Sequence, residues 1–119
     1  MPGYDIILNE GDTSDIVLNW EDYLDEGFVA SGWYKILDVD TMDDEETGGV
    51  VLDTTEFTSC ESLTITITKA ISKIVTSGNL LEKKIILVAL TYATSKQKTI
   101  EVDFWVRKLS FVAADGVVS

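Results

Sequence analysis

Twenty-one carboxylates, one thiol and no imidazole define the chemistry open to this chain. Without histidine, the Ser-His-Asp and Cys-His arrangements that activate a nucleophile are excluded, as are zinc sites built on imidazole. No Walker-type glycine-rich loop is present, so P-loop phosphate chemistry is excluded too. Glycoside hydrolysis needs two carboxyl groups facing one cleft. Among 21 acids some pair arises by chance, and 119 residues leave little room for a sugar groove. The densest acidic run, from Asp38 through Asp40, Asp43, Asp44 and Glu45 to Glu46, invites a calcium reading, because Ca²⁺ takes several carboxylate oxygens. An EF-hand loop would need glycine where Asp43 stands and Asp or Asn where Met42 stands. The run therefore reads as a solvated surface loop, with a calcium-binding sandwich loop as its rival. The expectation is a non-enzymatic chain with no catalytic residue, no cofactor and no metal.

The remaining candidates are surfaces. Trp20, Trp33 and Trp105 could stack on sugar rings. Trp20 shares the inward phase of Ile16 and Leu18 and reads as core; Trp33 begins a strand whose face the sequence does not fix. Trp105 falls on the polar phase of its strand with Glu101, Asp103 and Arg107, where an outward Trp suits an interface anchor. Cys60 reads as a small buried or half-buried hydrophobe. The end of the chain, residues 110–119, carries Phe111, Val112, Val117 and Val118 with a single charge. The expected interface is therefore Trp105, Arg107, Phe111, Val112, Val117 and Val118.

Charge narrows the partners. The net charge is −12, which disfavours groove binding to nucleic acid and repels an acidic membrane surface. Residues 1–62 hold 17 acids and 1 base, whereas residues 63–119 hold 4 acids and 8 bases. Such asymmetry suits head-to-tail assembly of unlike surfaces, unless the two halves interleave in space and cancel. The longest apolar run, residues 85–90, is far short of the roughly 20 residues of a membrane span. The opening MPGYDIILNEGD lacks a charged and then apolar leader, so no secretory signal is expected.

These side chains must be positioned by strands. Val, Ile and Thr make up 36 of the 119 residues, and β-branched side chains suit pleated sheets. Turn clusters recur at short intervals, which reads as an all-β sandwich. Strands are expected at residues 4–9 (Tyr4, Ile6 and Leu8 on one face), 15–20 (Ile16, Leu18 and Trp20 inward) and 32–39. Residues 63–68 alternate with Leu63, Ile65 and Ile67 inward. Residues 50–52 and Phe57 read as short edge pieces. A single helical turn is expected at 21–26, with Asn19 as its cap, Leu24 packing down and Gly27 ending it. Residues 70–81 admit a strand or a helix-like stretch. Residues 83–93 and 98–109 form the strongest hairpin signal, turning through residues 94–97. In its second strand Ile100, Val102, Phe104 and Val106 face inward. The first strand, apolar on both faces, must be central or covered by another chain. One domain spans residues 1–109, followed by an arm or edge strand at 110–119.

The stretch DIVLNWEDYLDEGFVASGW resembles the opening motif of small tailed-phage proteins of the fibre–tail adaptor or head–tail type. Asn19-Trp20, Tyr23-Leu24 and Ser31-Gly32-Trp33 are its matching positions, with Asn19 in place of an acid and Tyr23 in place of a Trp. The threonine-rich LTITIT and the long hairpin after it are similar in order and spacing. The resemblance implies an immunoglobulin-like antiparallel β-sandwich of about seven strands. It implies a virion location after synthesis in the host cytoplasm, and a multi-copy homo-oligomeric adaptor contacting other virion proteins in neck, tail, fibre or capsid. A capsid decoration protein is the alternative, and a carbohydrate-binding module a weaker one.

Overall fold

A computed structural model describes residues 6–42, 48–93 and 95–108. Tyr4, Asp43, Asp44, Glu45, Glu46, Thr94, Leu109 and the expected arm with Phe111, Val112, Val117 and Val118 lie outside the described residues.

Seven strands follow in order: β1 (Ile6–Asn9), β2 (Ser14–Asn19), β3 (Ala30–Asp38), β4 (Val50–Cys60), β5 (Ser62–Ile67), β6 (Leu81–Tyr92) and β7 (Lys96–Arg107). They form a five-stranded sheet, β1-β7-β6-β3-β4, and a two-stranded sheet, β2-β5. The fold is an all-β sandwich. Its inner faces share one apolar cluster: Ile16, Leu18, Leu63, Ile65 and Ile67 from the small sheet meet Ile36, Ile86, Val88, Val102, Phe104 and Val106 from the large one. Every inward phase read from alternation in β2, β5 and β7 is buried, and Trp20 is fully so.

The long hairpin β6–β7 is antiparallel and places β6 at the centre of the large sheet, between β7 and β3. This is why β6 is apolar on both sides: Ile86, Val88 and Leu90 enter the core, while Ile85, Leu87 and Ala89 are half-buried on the outer side. Its turn is tighter than expected, since Tyr92 already pairs with Lys96. Ala93 takes a positive φ of 46° to make it.

Four expectations are corrected. Residues 50–60 are one strand of 11 residues, not separate pieces; register shifts against β3 between Ala30 and Gly32 and between Tyr34 and Leu37 break the alternation that would have announced it. The pairing is not wholly antiparallel, because β1 runs parallel to β7 with Ile7 beside Trp105. Residues 70–81 contain no helix and no strand before Leu81; they run in turns, anchored by buried Ile71 and Ser72. Asn19 stands at the cap of a 3₁₀ turn at Trp20–Asp22, but its side chain makes no capping bond. The rest of that turn holds, with Leu24 buried and Gly27 at φ +60°.

The two charge halves interleave. The large sheet takes β1, β3 and β4 from the acidic half and β6 and β7 from the basic half, and each half contributes one strand to the small sheet. Cations of the second half pair with acids of the first: Lys84 with Asp38, and Lys96 with Asp25 and Glu26. Segregated charge therefore gives no basis for head-to-tail assembly.

Candidate interaction face

The outer face of the large sheet is built by the phase opposite to the core. Cross-strand register sets its rows: Trp105 of β7 opposite Lys83 of β6; Asp103 opposite Ile85, and Ile85 opposite Leu37 of β3; Glu101, Leu87 and Lys35; Thr99, Ala89 and Trp33. An apolar floor of Ile85, Leu87, Ala89 and Leu37 thus runs between two tryptophans. Leu37 is buried without joining the core cluster. The two tryptophans are offset by six residues along the strands, about 20 Å at about 3.4 Å each, and lie two strands apart across the sheet.

Each tryptophan carries a lysine. Lys83 Nζ lies 5.9 Å from the Trp105 ring centroid and also pairs with Asp103 at 3.1 Å. Lys35 Nζ lies 5.7 Å from the Trp33 ring. At exposed sites such cation–π contacts contribute about 0.5–1 kcal/mol. Ile7 of β1 extends the patch beside Trp105 and is 52% exposed. The expected anchor Trp105 is half-buried here, on the outward side as its phase required. Arg107 is half-buried at the end of the row, and its Nε donates to Asn9 Oδ1 at 3.1 Å, tying β7 to β1. Residues 70–81 do not cross this face. Ile71 enters the core cluster, and the backbone of Val75 and Thr76 turns to Glu82 on the inner side.

A shallow depression of about 390 Å³ sits at one corner, lined by Trp33, Ala89, Thr91, Gln97 and Thr99 around Gly32. Gly32 is required there: a Cβ at that position would lie 2.0 Å from the Ala89 carbonyl oxygen. No carboxylate lines this depression. Among the described residues no group of three or more Cys, Asp or Glu side chains converges as a metal site would require. Cys60 is half-buried, with Sγ 3.7 Å from the Ala30 carbonyl oxygen.

Sequence reasoning missed a second polar feature, on the inner face. Lys84 is fully buried and pairs with Asp38 Oδ1 at 2.8 Å and Glu82 Oε1 at 3.0 Å. Glu82 Oε1 also accepts from the Val75 amide at 2.7 Å, and Oε2 accepts from the Thr76 amide at 2.8 Å and Asn79 Nδ2 at 2.9 Å. Burial alone would raise the Glu82 pKa, but the two amides, Lys84 and Asn79 outweigh it and hold the group down at about 2. Asp38, read from sequence as part of a solvated loop, is instead an end of this closed cluster, with Thr41 Oγ1 donating to its other oxygen at 3.0 Å. A visible signal existed: Glu82 and Lys84 fall on the same alternate phase as Ile86, Val88 and Leu90. Glu82 accepts four donors and Asp38 two, all from within the chain, so the cluster fastens residues 75–79 to the sandwich.

Comparison with known proteins gives no match: no family model, no curated protein and no solved structure is recognisably similar to this chain.

Proposed function

We propose that this protein is a non-enzymatic virion structural protein, a multi-copy adaptor in the neck or tail of a tailed phage that docks fibres or tail components. The observation that carries the reading is the outer face of the large sheet. It has an apolar floor, two lysine-capped tryptophans at its corners and exposed Ile7 at its rim, with no segment of the described chain laid across it. Apolar faces of this kind mark protein contacts, and Trp is a frequent anchor in them. The resemblance of residues 15–33 to the adaptor family supplies the virion setting, with synthesis in the host cytoplasm.

The strand arrangement supports an immunoglobulin-like reading of the sandwich. In that fold strands B and E lie in one sheet and C, F and G in the other, with C′ added beside C in variable-type domains. Here β2 and β5 take the places of B and E, and β3, β4, β6 and β7 those of C, C′, F and G.

The test is incorporation into particles. Trp105→Ala combined with truncation after Lys108 is expected to leave a folded domain that no longer enters particles; normal incorporation overturns the reading. Copies per particle then decide between an adaptor, present in small numbers, and a capsid decoration protein covering the head lattice.

A further inference from the structure

We propose that the free edge of β5 pairs antiparallel with β5 of a second copy, joining two β2–β5 pairs into one four-stranded sheet.

The described sandwich has four strand edges, and natural proteins protect such edges by shortness, bulges, charge or proline. Three are protected. β1 is only four residues long. β4 is broken by register shifts and exposes Asp53 and Glu56. β2 carries Asp15, with Asp12, Glu21 and Asp22 close to its ends. β5 has none of these devices. Its six residues, Ser-Leu-Thr-Ile-Thr-Ile, include no charge, glycine or proline, and its register with β2 is unbroken from Ser62 to Ile67. Among the described residues β2 is its single strand partner.

The sequence of this edge is complementary to itself. Centred on Ile65, antiparallel pairing sets Leu63 opposite Ile67 and Thr64 opposite Thr66. Buried residues meet buried ones and exposed threonines meet exposed threonines, which any register slipped by one residue would forbid. Glu61, one residue before the strand, and Lys69, in the turn two residues after it, lie outside this register, but an antiparallel partner brings these two flanks close to each other at both ends. Both side chains are exposed, and neither is paired within the described chain. β2 has Asp15 within the strand and Asp12, Glu21 and Asp22 at its flanks, so a second β2 laid against it would bring like charges together. The occupant is therefore a second copy, in an isologous contact with two identical Glu61–Lys69 pairs. This contact is separate from the Trp105 face and does not depend on the virion reading.

Sedimentation of the full chain tests it. The wild-type protein is expected to dimerise. Glu61→Lys alone and Lys69→Glu alone each turn both end pairs into like-charge contacts and should weaken the dimer roughly tenfold. An equimolar mixture of the two variants should recover it as a heterodimer, identified by native mass spectrometry. Global charge predicts the opposite for one variant: Glu61→Lys changes the net charge from −12 to −10 and would tighten any non-specific association. Thermal midpoints within a few degrees of wild type, expected for exposed substitutions, establish that each variant is folded. A wild-type chain that stays monomeric at about 100 µM overturns the proposal, as do single variants that dimerise like wild type. Dimerisation seen only after truncation at Lys108 also overturns it, because the chain's own C-terminal segment would then occupy the edge.

Discussion

The two ends of the sandwich are closed by opposite means. At one end Trp20 is fully buried and stacks on Phe57 with ring centroids 5.7 Å apart. At the other, Asp38, Glu82 and Lys84 are buried as a charged cluster. The apolar end tolerates a defect: Trp20 Nε1 has no hydrogen-bond partner among the described residues. An orphaned donor costs about 1–3 kcal/mol, whereas burying an indole of about 150–250 Å² contributes about 4–6 kcal/mol at 25 cal/mol per Å². Volume wins there. The charged end tolerates no such defect, since an uncompensated buried ion costs several kcal/mol. Accordingly Glu82 accepts four donors, two at each oxygen. A large apolar side chain can carry one unmet bond, but a buried charge has to meet nearly all of its own.

The strongest way to break this comparison is at its two centres. Trp20→Ala should cost about 3–5 kcal/mol in denaturant unfolding, the range for a buried Trp truncated to Ala. Lys84→Met should cost a similar amount, about 3–5 kcal/mol, for a different reason: it leaves Asp38 and Glu82 as buried carboxylates without their cation. The second site can be sharpened. Adding Asp38→Leu to Lys84→Met removes one stranded charge and should recover part of the loss, while Glu82 keeps the amides of Val75 and Thr76. If Lys84→Met costs under about 1 kcal/mol, the charged end is wet and the contrast fails.

Acid distinguishes the two ends next. The Glu82 pKa is lowered from 4.5 to about 2, so between those values the unfolded chain binds a proton that the folded one does not. Its contribution is fully present above about pH 5 and is lost as the pH falls through 2. At 1.36 kcal/mol per pKa unit the loss is at most about 3 kcal/mol. Unfolding followed from pH 5 to pH 2 should show this slope in the wild type and in Trp20→Phe, and lose it in Glu82→Gln. An unchanged slope in Glu82→Gln would place the acid sensitivity elsewhere.

What could be read in the sequence follows the same division. Period-two alternation located the inward residues of β2, β5 and β7, because the pleat forces it wherever a strand runs unbroken. It failed in β4, where register shifts interrupt the pleat at an edge. It also failed at Glu82 and Lys84, since charge argues for the surface and only the cross-strand approach of Asp38 makes burial tolerable. On the outer face, Trp105 was legible from its phase. The side of Trp33 was not, lying next to an irregular pairing at Gly32, and the lysines over both rings depend on geometry that a linear sequence does not display.

The smallest stability effect is expected on the outer face, and its size is what separates a binding surface from a second core. Trp105 is half-buried, with Lys83 over its ring and Ile7 of the short edge strand beside it in register, and it belongs to no part of the inner cluster. Trp105→Ala removes a cation–π contact of about 0.5–1 kcal/mol and little that is shielded from water, so the unfolding free energy should fall by about 1 kcal/mol or less. Lys83 keeps its partner Asp103, which limits any wider disturbance. Chemical denaturation of the isolated chain measures this directly. A loss of 3 kcal/mol or more, the size expected of a buried Trp, would mean that the outer row is packed as tightly as the Trp20 end and serves stability. A small loss alongside failed incorporation into particles would leave recognition as the reason for a tryptophan in that row.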